Sequence, residues 1–345
     1  MLYNYYTKLK QLLSQDTHDL EVETNDQFIR IIASEKKWEN DQWKEFVENV
    51  EFQYMDRNQV LCQIKMNFDA SLRGMIYPWI ANKAVPPPID YKLFAQNPCA
   101  QDNVIFRDIE RTHSHLEFYK SKKKQSKKHA QRASQQLDSI KSVIDDKMLN
   151  EFFSLNQKRL FYLLRAYANQ DPGIGYVQGM NYIMGLLLYL LDDNNNLFSG
   201  EMKAYQMFLF ISIKMNWSQT YNKSMKKLKS MVQHLEFLLK HNLPDLHKII
   251  CNLDQPFIFF MDQYFFGLMS YKTPLEFSTK ILDIFIIQGE QIIFEVLLRV
   301  FTLNRNEIKQ LQDKDEQTQF IKDILPISIE KFGIQALIPN CEIII

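Results

Sequence analysis

The stretch Asp171-Pro-Gly-Ile-Gly-Tyr-Val-Gln-Gly-Met-Asn181, which runs directly into the apolar segment Tyr182–Leu191, determines how the rest of the chain is interpreted. Its proline and glycines cannot continue an incoming helix, so the chain must turn here. A new helix is predicted from the turn onward, because apolar residues recur at the spacing of one helical face. These residues are Tyr176, Met180, Ile183, Met184, Leu187 and Leu188. Gln178 is therefore predicted in the exposed first turn of a helix that is otherwise buried.

Two interpretations of Gln178 follow from this position. Three of the chain's nine glycines fall within residues 173–179, so the amide stands on a backbone with few side chains around it. Such a side chain could be presented to a partner molecule by the rigid helix behind it. The other interpretation is an ordinary corner between two helices, in which Gln178 only caps the turn. The spacing alone leaves both open.

The composition predicts an all-α protein. With 345 residues, 46% of them hydrophobic and 13% aromatic, the chain can bury a large core, which excludes wholesale disorder. Nine glycines and eleven prolines are few for this length and favour long helices over a turn-rich β fold. Amphipathic segments recur without a fixed period. We therefore expect a single large globular multi-helix domain rather than a solenoid.

Individual helices are predicted from apolar spacing and from end signals. They include Asp146–Tyr167, Glu201–Met215, Leu275–Gln288, Gln291–Leu303 and Asn306–Ile324. For the helix Leu275–Gln288, Thr273 is predicted as the N-cap and Pro274 as the first helical residue.

Charge and cysteine usage indicate a cytoplasmic protein. Basic and acidic residues number 41 each, so no net field attracts nucleic acid. The longest apolar run, Tyr182–Leu191, is about half a membrane span, and the N-terminus has no apolar signal core. The four cysteines have no metal-ligand spacing and no short pairing, which is typical of a reducing compartment.

One segment departs from this balance. Residues 120–132 contain six lysines and one arginine without any acid: Lys120, Lys122, Lys123, Lys124, Lys127, Lys128 and Arg132. A run of this kind is typical of a solvated loop. Alternatively, it could contact an anionic membrane, where each charge would contribute about 1 kcal/mol.

Familiar catalytic motifs are absent from the sequence. It contains no glycine-rich phosphate loop, no His-Glu-x-x-His and no Gly-x-Ser-x-Gly. His113 and His115 have no Cys or carboxylate partners at ligand spacing, so we interpret them as surface histidines. The chain is therefore expected to bind no nucleotide, cofactor or metal of its own.

The segment Ile105-x-x-Asp108-x-x-Arg111 carries the remaining chemistry. On a helix these residues share one face, where Ile105 would anchor the turn and Asp108 could pair with Arg111 and aim it. Read alone, an aspartate–arginine pair of this spacing is also common on protein surfaces, where it contributes about 0–1 kcal/mol.

Three segments in order change this interpretation. Leu72-Arg73-Gly74, Ile105-x-x-Asp-x-x-Arg-Thr112 and Ile174-Gly-Tyr-x-Gln-Gly-Met-Asn181 resemble the TBC domain, the catalytic domain of Rab GTPase-activating proteins. The second family motif, I-x-x-D-x-x-R, and the third, Y-x-Q, are both intact. The resemblance implies an all-helical TBC domain at residues 67–325, with the lysine-rich segment 120–132 as an insertion. A helical flanking region at 1–66 and a C-terminal tail at 326–345 would surround it.

The resemblance also implies a function. Such a domain accelerates GTP hydrolysis by a Rab-family small GTPase in its GTP-bound state, and the partner holds the GTP and Mg²⁺. Arg111 matches the arginine finger of the family and Gln178 the glutamine finger. The motif positions give supporting roles to Ile105, Asp108, Tyr176, Arg73, Gly179 and Asn181. The implied role is regulation of vesicle trafficking and intracellular protein transport, in the cytoplasm or peripherally on endomembranes.

The chain departs from the family pattern at three places. Tyr77 stands where family members often have tryptophan, His113 stands where an aromatic residue is favoured, and a tryptophan usual around Phe266 is missing. Two alternatives to the implied function stay open. The chain could be a TBC-like scaffold that binds a GTPase without accelerating it, or a helical adaptor that docks on membranes through residues 120–132.

Overall fold

Helices form every regular element that the structure describes. The structure is a computed structural model, and it describes residues 38–50, 57–65, 68, 70–84, 90–120 and 144–338. Within these ranges no strand is present, which agrees with the predicted all-α class. None of the helices described there is both long and apolar enough to span a bilayer. The predicted flanking region before residue 38 and the lysine-rich run after Lys120 lie outside the described residues.

The first half of the domain is built from short helices that lead to two long central ones. They are α1 (Asn40–Asn49), α2 (Arg57–Lys65), α3 (Arg73–Ala84), α4 (Tyr91–Ala95), α5 (Asp102–Arg111), α6 (Asp146–Phe152), α7 (Leu155–Gln170) and α8 (Met180–Leu190). Short 3-10 helices at Ala70–Leu72 and Glu117–Tyr119 fill two of the connections.

The second half of the domain adds further helices. They are α9 (Leu197–Leu209), α10 (Lys226–Asn242), α11 (Pro244–Cys251), α12 (Ile258–Phe266), α13 (Leu275–Gln288), α14 (Gln291–Leu303), α15 (Arg305–Gln310), α16 (Lys314–Lys322), α17 (Ile324–Phe332) and α18 (Ile334–Leu337). A π-helical turn at Phe210–Lys214 and a 3-10 helix at Trp217–Tyr221 join α9 to α10.

The core is centred on α7, α8, α13 and α14. Helix α7 packs against α4, α5 and α8, while α8 packs on α9, and α13 packs on α2 and α14. The predicted apolar face of α8 is fully buried, from Met180 to Leu188. The same core holds Leu325, Ile329 and Leu337, so the first part of the segment assigned to the C-terminal tail is packed helix. A rigid base of this kind supports α5 and the turn before α8.

Two long predicted helices are each divided in the structure. The helix predicted over Asp146–Tyr167 is confirmed except for a break at residues 153–154, where Ser154 caps a new helix. The Ser154 hydroxyl accepts the Gln157 N–H at 3.3 Å, and the Gln157 side chain accepts the Ser154 N–H at 2.9 Å. The predicted helix Asn306–Ile324 is divided in the same manner. The carboxylate of Asp313 accepts the N–H groups of Asp315 and Glu316 and so begins α16.

The remaining predicted helices are largely confirmed. Helix α14 has the predicted bounds, and α13 does too, but Pro274 is its N-cap rather than its first helical residue. The Thr273 hydroxyl donates instead to the Met269 carbonyl at 2.7 Å. The predicted helix Glu201–Met215 begins four residues earlier, at Leu197, because the Asn196 side chain accepts the Ser199 N–H at 3.1 Å. Its last turn widens into the π-helical turn.

Buried ion pairs fix the helices around α7. The Nε and Nη2 atoms of Arg165 each donate to one oxygen of the Asp102 carboxylate at 2.9 Å, which ties α7 to the first turn of α5. Arg159 donates to Glu201 at 2.7 Å, and the same carboxylate accepts the Tyr91 hydroxyl at 2.6 Å. Because removing one partner leaves a buried charge uncompensated, each pair constrains how its helices pack.

Candidate functional site

The arginine motif lies on α5 and ends at its last residue. Ile105 and Asp108 are buried, whereas the Arg111 side chain is 50% exposed. The predicted ion pair is present: the Arg111 guanidinium donates to Oδ1 of Asp108. The second oxygen of that carboxylate, Oδ2, accepts the Tyr176 hydroxyl at 2.6 Å. Asp108 is thus held from both sides and fixes the direction in which Arg111 leaves the helix.

The Gln178 turn differs from the prediction in one respect. Helix α8 begins at Met180 rather than at Tyr176, and Gly179 is its N-cap with φ of 112°. A positive φ interrupts the helix that the apolar spacing suggested. Gln178 is exposed, as predicted, but it lies in the turn before the helix. Tyr176 is buried, and burial with the nearby Asp108 carboxylate holds the pKa of its hydroxyl well above the ordinary value.

Gly179 is required by a close approach of two backbones. A Cβ at this position would lie 2.7 Å from the carbonyl oxygen of Phe266, at the end of α12. The same carbonyl accepts the Tyr221 hydroxyl at 2.7 Å. The Gly179 N–H donates to Oδ1 of Asn181 at 2.9 Å, inside the turn. Backbone packing and hydrogen bonding therefore hold the residue next to Gln178 in one position.

A second path of hydrogen bonds joins this turn to α5. The amide of Asn181 donates to the Thr112 hydroxyl at 2.7 Å, and that hydroxyl donates to the Asp108 carbonyl at 2.6 Å. Thr112 and Asn181 are both fully buried. Together with the bond from Tyr176, this path couples the end of α5 to the Gln178 turn. Thr112 was not among the predicted site residues, and its only sequence signal is its place directly after Arg111.

His113 is buried, so its interpretation as a surface histidine is wrong. Its backbone φ is +45°, and its Nε2 lies 2.9 Å from the carbonyl oxygen of Tyr182. Burial lowers the pKa of His113 to about 4, so the neutral ring donates this hydrogen bond. Its ring also stacks on Tyr119 with centroids 6.2 Å apart. The imidazole therefore fills an aromatic position in the core, while His115 is exposed as predicted.

Arg73 stabilises the packing of two helices. Its guanidinium donates to both oxygens of Asp283, at 2.9 Å and 2.7 Å, and joins α3 to α13. The Tyr77 hydroxyl donates to the same carboxylate at 2.6 Å, and all three side chains are buried. Burial raises the pKa of Tyr77 well above its ordinary value, so its hydroxyl stays protonated. The tyrosine in place of the family's tryptophan thus has a buried partner for its hydroxyl.

The arrangement presents two polar side chains on a rigid, buried base. A guanidinium has five N–H donors in a planar fork, and the pair with Asp108 leaves most of them free to bind oxygen atoms of an anion. An exposed amide can both accept from a water molecule and donate to an anion. The site therefore suits assistance to a reaction on a phosphate group held by another molecule.

The family assignment agrees with this geometry. Residues 70–309 match the family model described as the Rab-GTPase-TBC domain, which covers well over half of the chain. The chain belongs to the TBC-domain family. The intact arginine and Y-x-Q motifs of this TBC domain lie within the matched residues.

Curated relatives resemble this TBC domain over most of its length. TBC1 domain family member 4 of Mus musculus is 25% identical over 285 residues, which cover 79% of this chain and 19% of that protein. Rab GTPase-activating protein eat-17 of Caenorhabditis elegans is 22% identical and covers 82% of this chain and 28% of that protein. GTPase-activating protein GYP5 of Saccharomyces cerevisiae is 24% identical, over 74% of this chain and 24% of that protein. The chain thus spans less than a third of the length of these relatives.

A solved structure shows the same fold. The crystal structure of the Chlamydomonas flagellar RabGAP TBC domain superposes with a TM-score of 0.54 and covers 92% of this chain and 95% of that one. Sequence identity across the superposition is 17%, so the likeness concerns the fold.

Proposed function

We propose that this TBC domain is a GTPase-activating protein for a Rab-family small GTPase in its GTP-bound state. The observation that carries the proposal is the pair of exposed side chains, Arg111 and Gln178, on two elements joined by buried hydrogen bonds. The names of two relatives, Rab GTPase-activating protein eat-17 and GTPase-activating protein GYP5, support it. The activity would serve membrane traffic in the cytoplasm, at the surface of endomembranes.

In this proposal each side chain supplies one part of a catalytic site in trans. The partner GTPase supplies GTP and Mg²⁺, since this chain has no motif for either. Charge develops on the oxygens of the transferred phosphoryl group, and the planar fork of Arg111 would bind them while water is excluded. The amide of Gln178 would orient the attacking water, as a glutamine does in other GTPases. Asp108 and Tyr176 would position Arg111 without touching the nucleotide.

The proposal is tested with a panel of purified GTP-loaded Rab GTPases under single-turnover conditions. At least one of them should hydrolyse GTP about 10³–10⁵ times faster with this chain than without it. Binding should be measured in parallel with a nonhydrolysable GTP analogue. If a Rab GTPase binds tightly and specifically but none is accelerated, the scaffold alternative is correct and the proposal is wrong.

A further inference from the structure

A basic surface lies at the junction between α9 and α10. Residues 202–235 contain six lysines and no aspartate or glutamate. Lys227 is paired with Glu290 at 3.1 Å, and Lys203 is half-buried. The other four are exposed, and none forms an ion pair with another described residue: Lys214, Lys223, Lys226 and Lys229. Most of the positive charge of this segment is therefore not neutralised by ion pairs within the described part of the chain.

Two large apolar side chains are exposed among these lysines. Ile213, at the end of the π-helical turn, is 54% exposed, and Met225, directly before α10, is 43% exposed. The two segments adjoin, because the Lys227 ammonium donates to the carbonyl of Asn216 at 3.1 Å. We refer to Ile213, Lys214, Lys223, Met225, Lys226 and Lys229 as the junction surface.

The backbone that carries the junction surface is irregular but rigidly supported. Asn216 and Met225 both have left-handed backbone conformations, with φ of 57° and 52°. Between them the 3-10 helix Trp217–Tyr221 is anchored by the fully buried indole of Trp217. A bulky residue such as methionine rarely adopts a left-handed conformation. The fold thus holds an apolar side chain in water at a position where a glycine would be less strained.

We propose that the junction surface docks on an anionic lipid membrane. Lysines attract anionic headgroups, while aliphatic side chains between them can insert at the interface. Protein interfaces favour aromatic residues and arginine and are depleted in lysine, which is the opposite of this composition. Single-stranded nucleic acid requires aromatic side chains for base stacking, and none is exposed among these residues. Charge and apolar composition together therefore favour a lipid surface.

Docking in this manner would fix the orientation of the candidate site. Tyr221, at the end of the 3-10 helix, donates its hydroxyl to the Phe266 carbonyl, and Gly179 packs on that same carbonyl. The junction surface and the Gln178 turn therefore share one rigid support. Membrane binding does not depend on the proposed GTPase-activating function, and each can be tested without the other.

The test is co-sedimentation of the whole chain with phosphatidylcholine vesicles that contain or lack phosphatidylserine, at moderate salt. The wild-type chain should bind only the anionic vesicles. The variant Lys214→Glu/Lys223→Glu/Lys226→Glu should bind about 100-fold more weakly, since each lysine near such a surface contributes about 1 kcal/mol, or about fivefold. The variant Ile213→Ser/Met225→Ser should also weaken binding, and its effect should persist at high salt because it removes apolar contact.

A matched control separates the surface from net charge. Lys147, Lys240 and Lys248 are also exposed, and Lys240 lies 14 residues along α10 from Lys226, about 21 Å away at 1.5 Å per residue. Their triple change to glutamate should leave binding within a fewfold of wild type. The proposal would be overturned if the two triple lysine variants lost binding equally. It would also be overturned if the variant Lys214→Glu/Lys223→Glu/Lys226→Glu bound vesicles as tightly as the wild-type chain.

Two further measurements identify other sources of binding. Deleting residues 121–132 should leave most of the vesicle binding in place, and complete loss on this deletion would assign the membrane contact to the lysine-rich segment instead. If the variant Lys214→Glu/Lys223→Glu/Lys226→Glu bound vesicles normally but failed to accelerate a soluble Rab GTPase, the surface would contact protein rather than lipid. That result would also contradict the proposal.

Discussion

Tyr176 illustrates how single residues build the site. Its hydroxyl donates to Oδ2 of Asp108, the carboxylate that aims Arg111. Tyr176→Phe should reduce the single-turnover rate about tenfold, because Asp108 would hold Arg111 less firmly. It should also lower the free energy of unfolding by about 1–3 kcal/mol, since a buried acceptor loses its donor. Hydrolysis rates and denaturant melts measure the two effects.

Tyr91 provides the matched control for this change. Its hydroxyl also donates to a buried carboxylate, Glu201, at 2.6 Å, but that contact joins α4 to α9. Tyr91→Phe should therefore lower stability by a similar amount and leave the rate unchanged. If both variants lost activity equally, the effect of Tyr176 would be one of stability alone.

His113 makes stability depend on pH. Its pKa is lowered to about 4 by burial, against about 6.5 in an unfolded chain, so the unfolded state binds more protons between these values. The stability contributed by the neutral ring is complete above pH 6.5 and is lost as pH falls toward 4. Between pH 7 and pH 5 this loss should be about 2 kcal/mol. Urea melts at pH 7 and pH 5 should show that the free energy of unfolding falls by about 2 kcal/mol less in His113→Phe than in the wild-type chain. If the two proteins showed the same dependence of stability on pH, the buried neutral histidine would be contradicted.

Gly179 allows the start of α8 and the end of α12 to lie in contact, because it has no side chain. The conformation of the Gln178 turn depends on this contact between the two helices. Gly179→Ala would put a methyl group 2.7 Å from the Phe266 carbonyl oxygen and force a non-glycine residue to φ of 112°. We expect a destabilisation of about 3 kcal/mol from strain and overpacking, and a displaced Gln178 should slow hydrolysis as well. Thermal melts and single-turnover rates would measure both.

Gly74 is the control for this substitution. It lies inside α3, and a Cβ there would meet no atom within 4 Å. Gly74→Ala should therefore be neutral or stabilise by up to about 1 kcal/mol through helix propensity. A Gly179→Ala variant as stable as Gly74→Ala would show that the close approach to Phe266 is not required.

Helices and their faces could be predicted from the sequence, because apolar spacing reports which side of a helix is buried. Helices α13 and α14 and the buried face of α8 were predicted in this manner. Breaks at Ser154 and Gly179 were not predicted, since a capping bond or a positive φ interrupts a helix without changing the apolar pattern. The burial of His113 depends on contacts with Tyr119, in the 3-10 helix that follows, and with Tyr182, which is 69 residues away on α8. Local apolar spacing cannot report such contacts.

For the candidate site, too, the sequence identified individual residues but not the contacts between them. Arg111, Asp108 and Gln178 were identified from their motifs, but no pattern indicated how the motifs would be joined. The bond between Asp108 and Tyr176 spans 68 residues of sequence, and the bond between Thr112 and Asn181 spans 69. Such connections require the packing of α5 and α8 on α7, which is a property of the folded domain.

The folded domain supplies a rigid support for the two side chains that, in the proposed function, act on a partner. Arg111 donates to an anchored carboxylate and remains half-exposed, and within the described part of the chain its side chain has no other ion pair. Its loss should lower the free energy of unfolding by about 1–3 kcal/mol, because the buried carboxylate of Asp108 loses its charged partner but keeps the Tyr176 hydroxyl. Activity should respond very differently, since an arginine finger accounts for about 10³–10⁵ in rate, or roughly 4–7 kcal/mol at 1.36 kcal/mol per decade.

The most direct test is the single-turnover rate of GTP hydrolysis by a responsive Rab GTPase with Arg111→Lys, with Arg111→Ala measured alongside. Lysine keeps the charge but loses the planar fork, so both variants should lose about 10³-fold or more of the acceleration. Both variants should still unfold cooperatively, at melting temperatures only a few degrees below that of the wild-type chain, and should bind the GTP-bound partner nearly as tightly. An Arg111→Ala variant that accelerated hydrolysis as well as the wild-type chain would contradict the account.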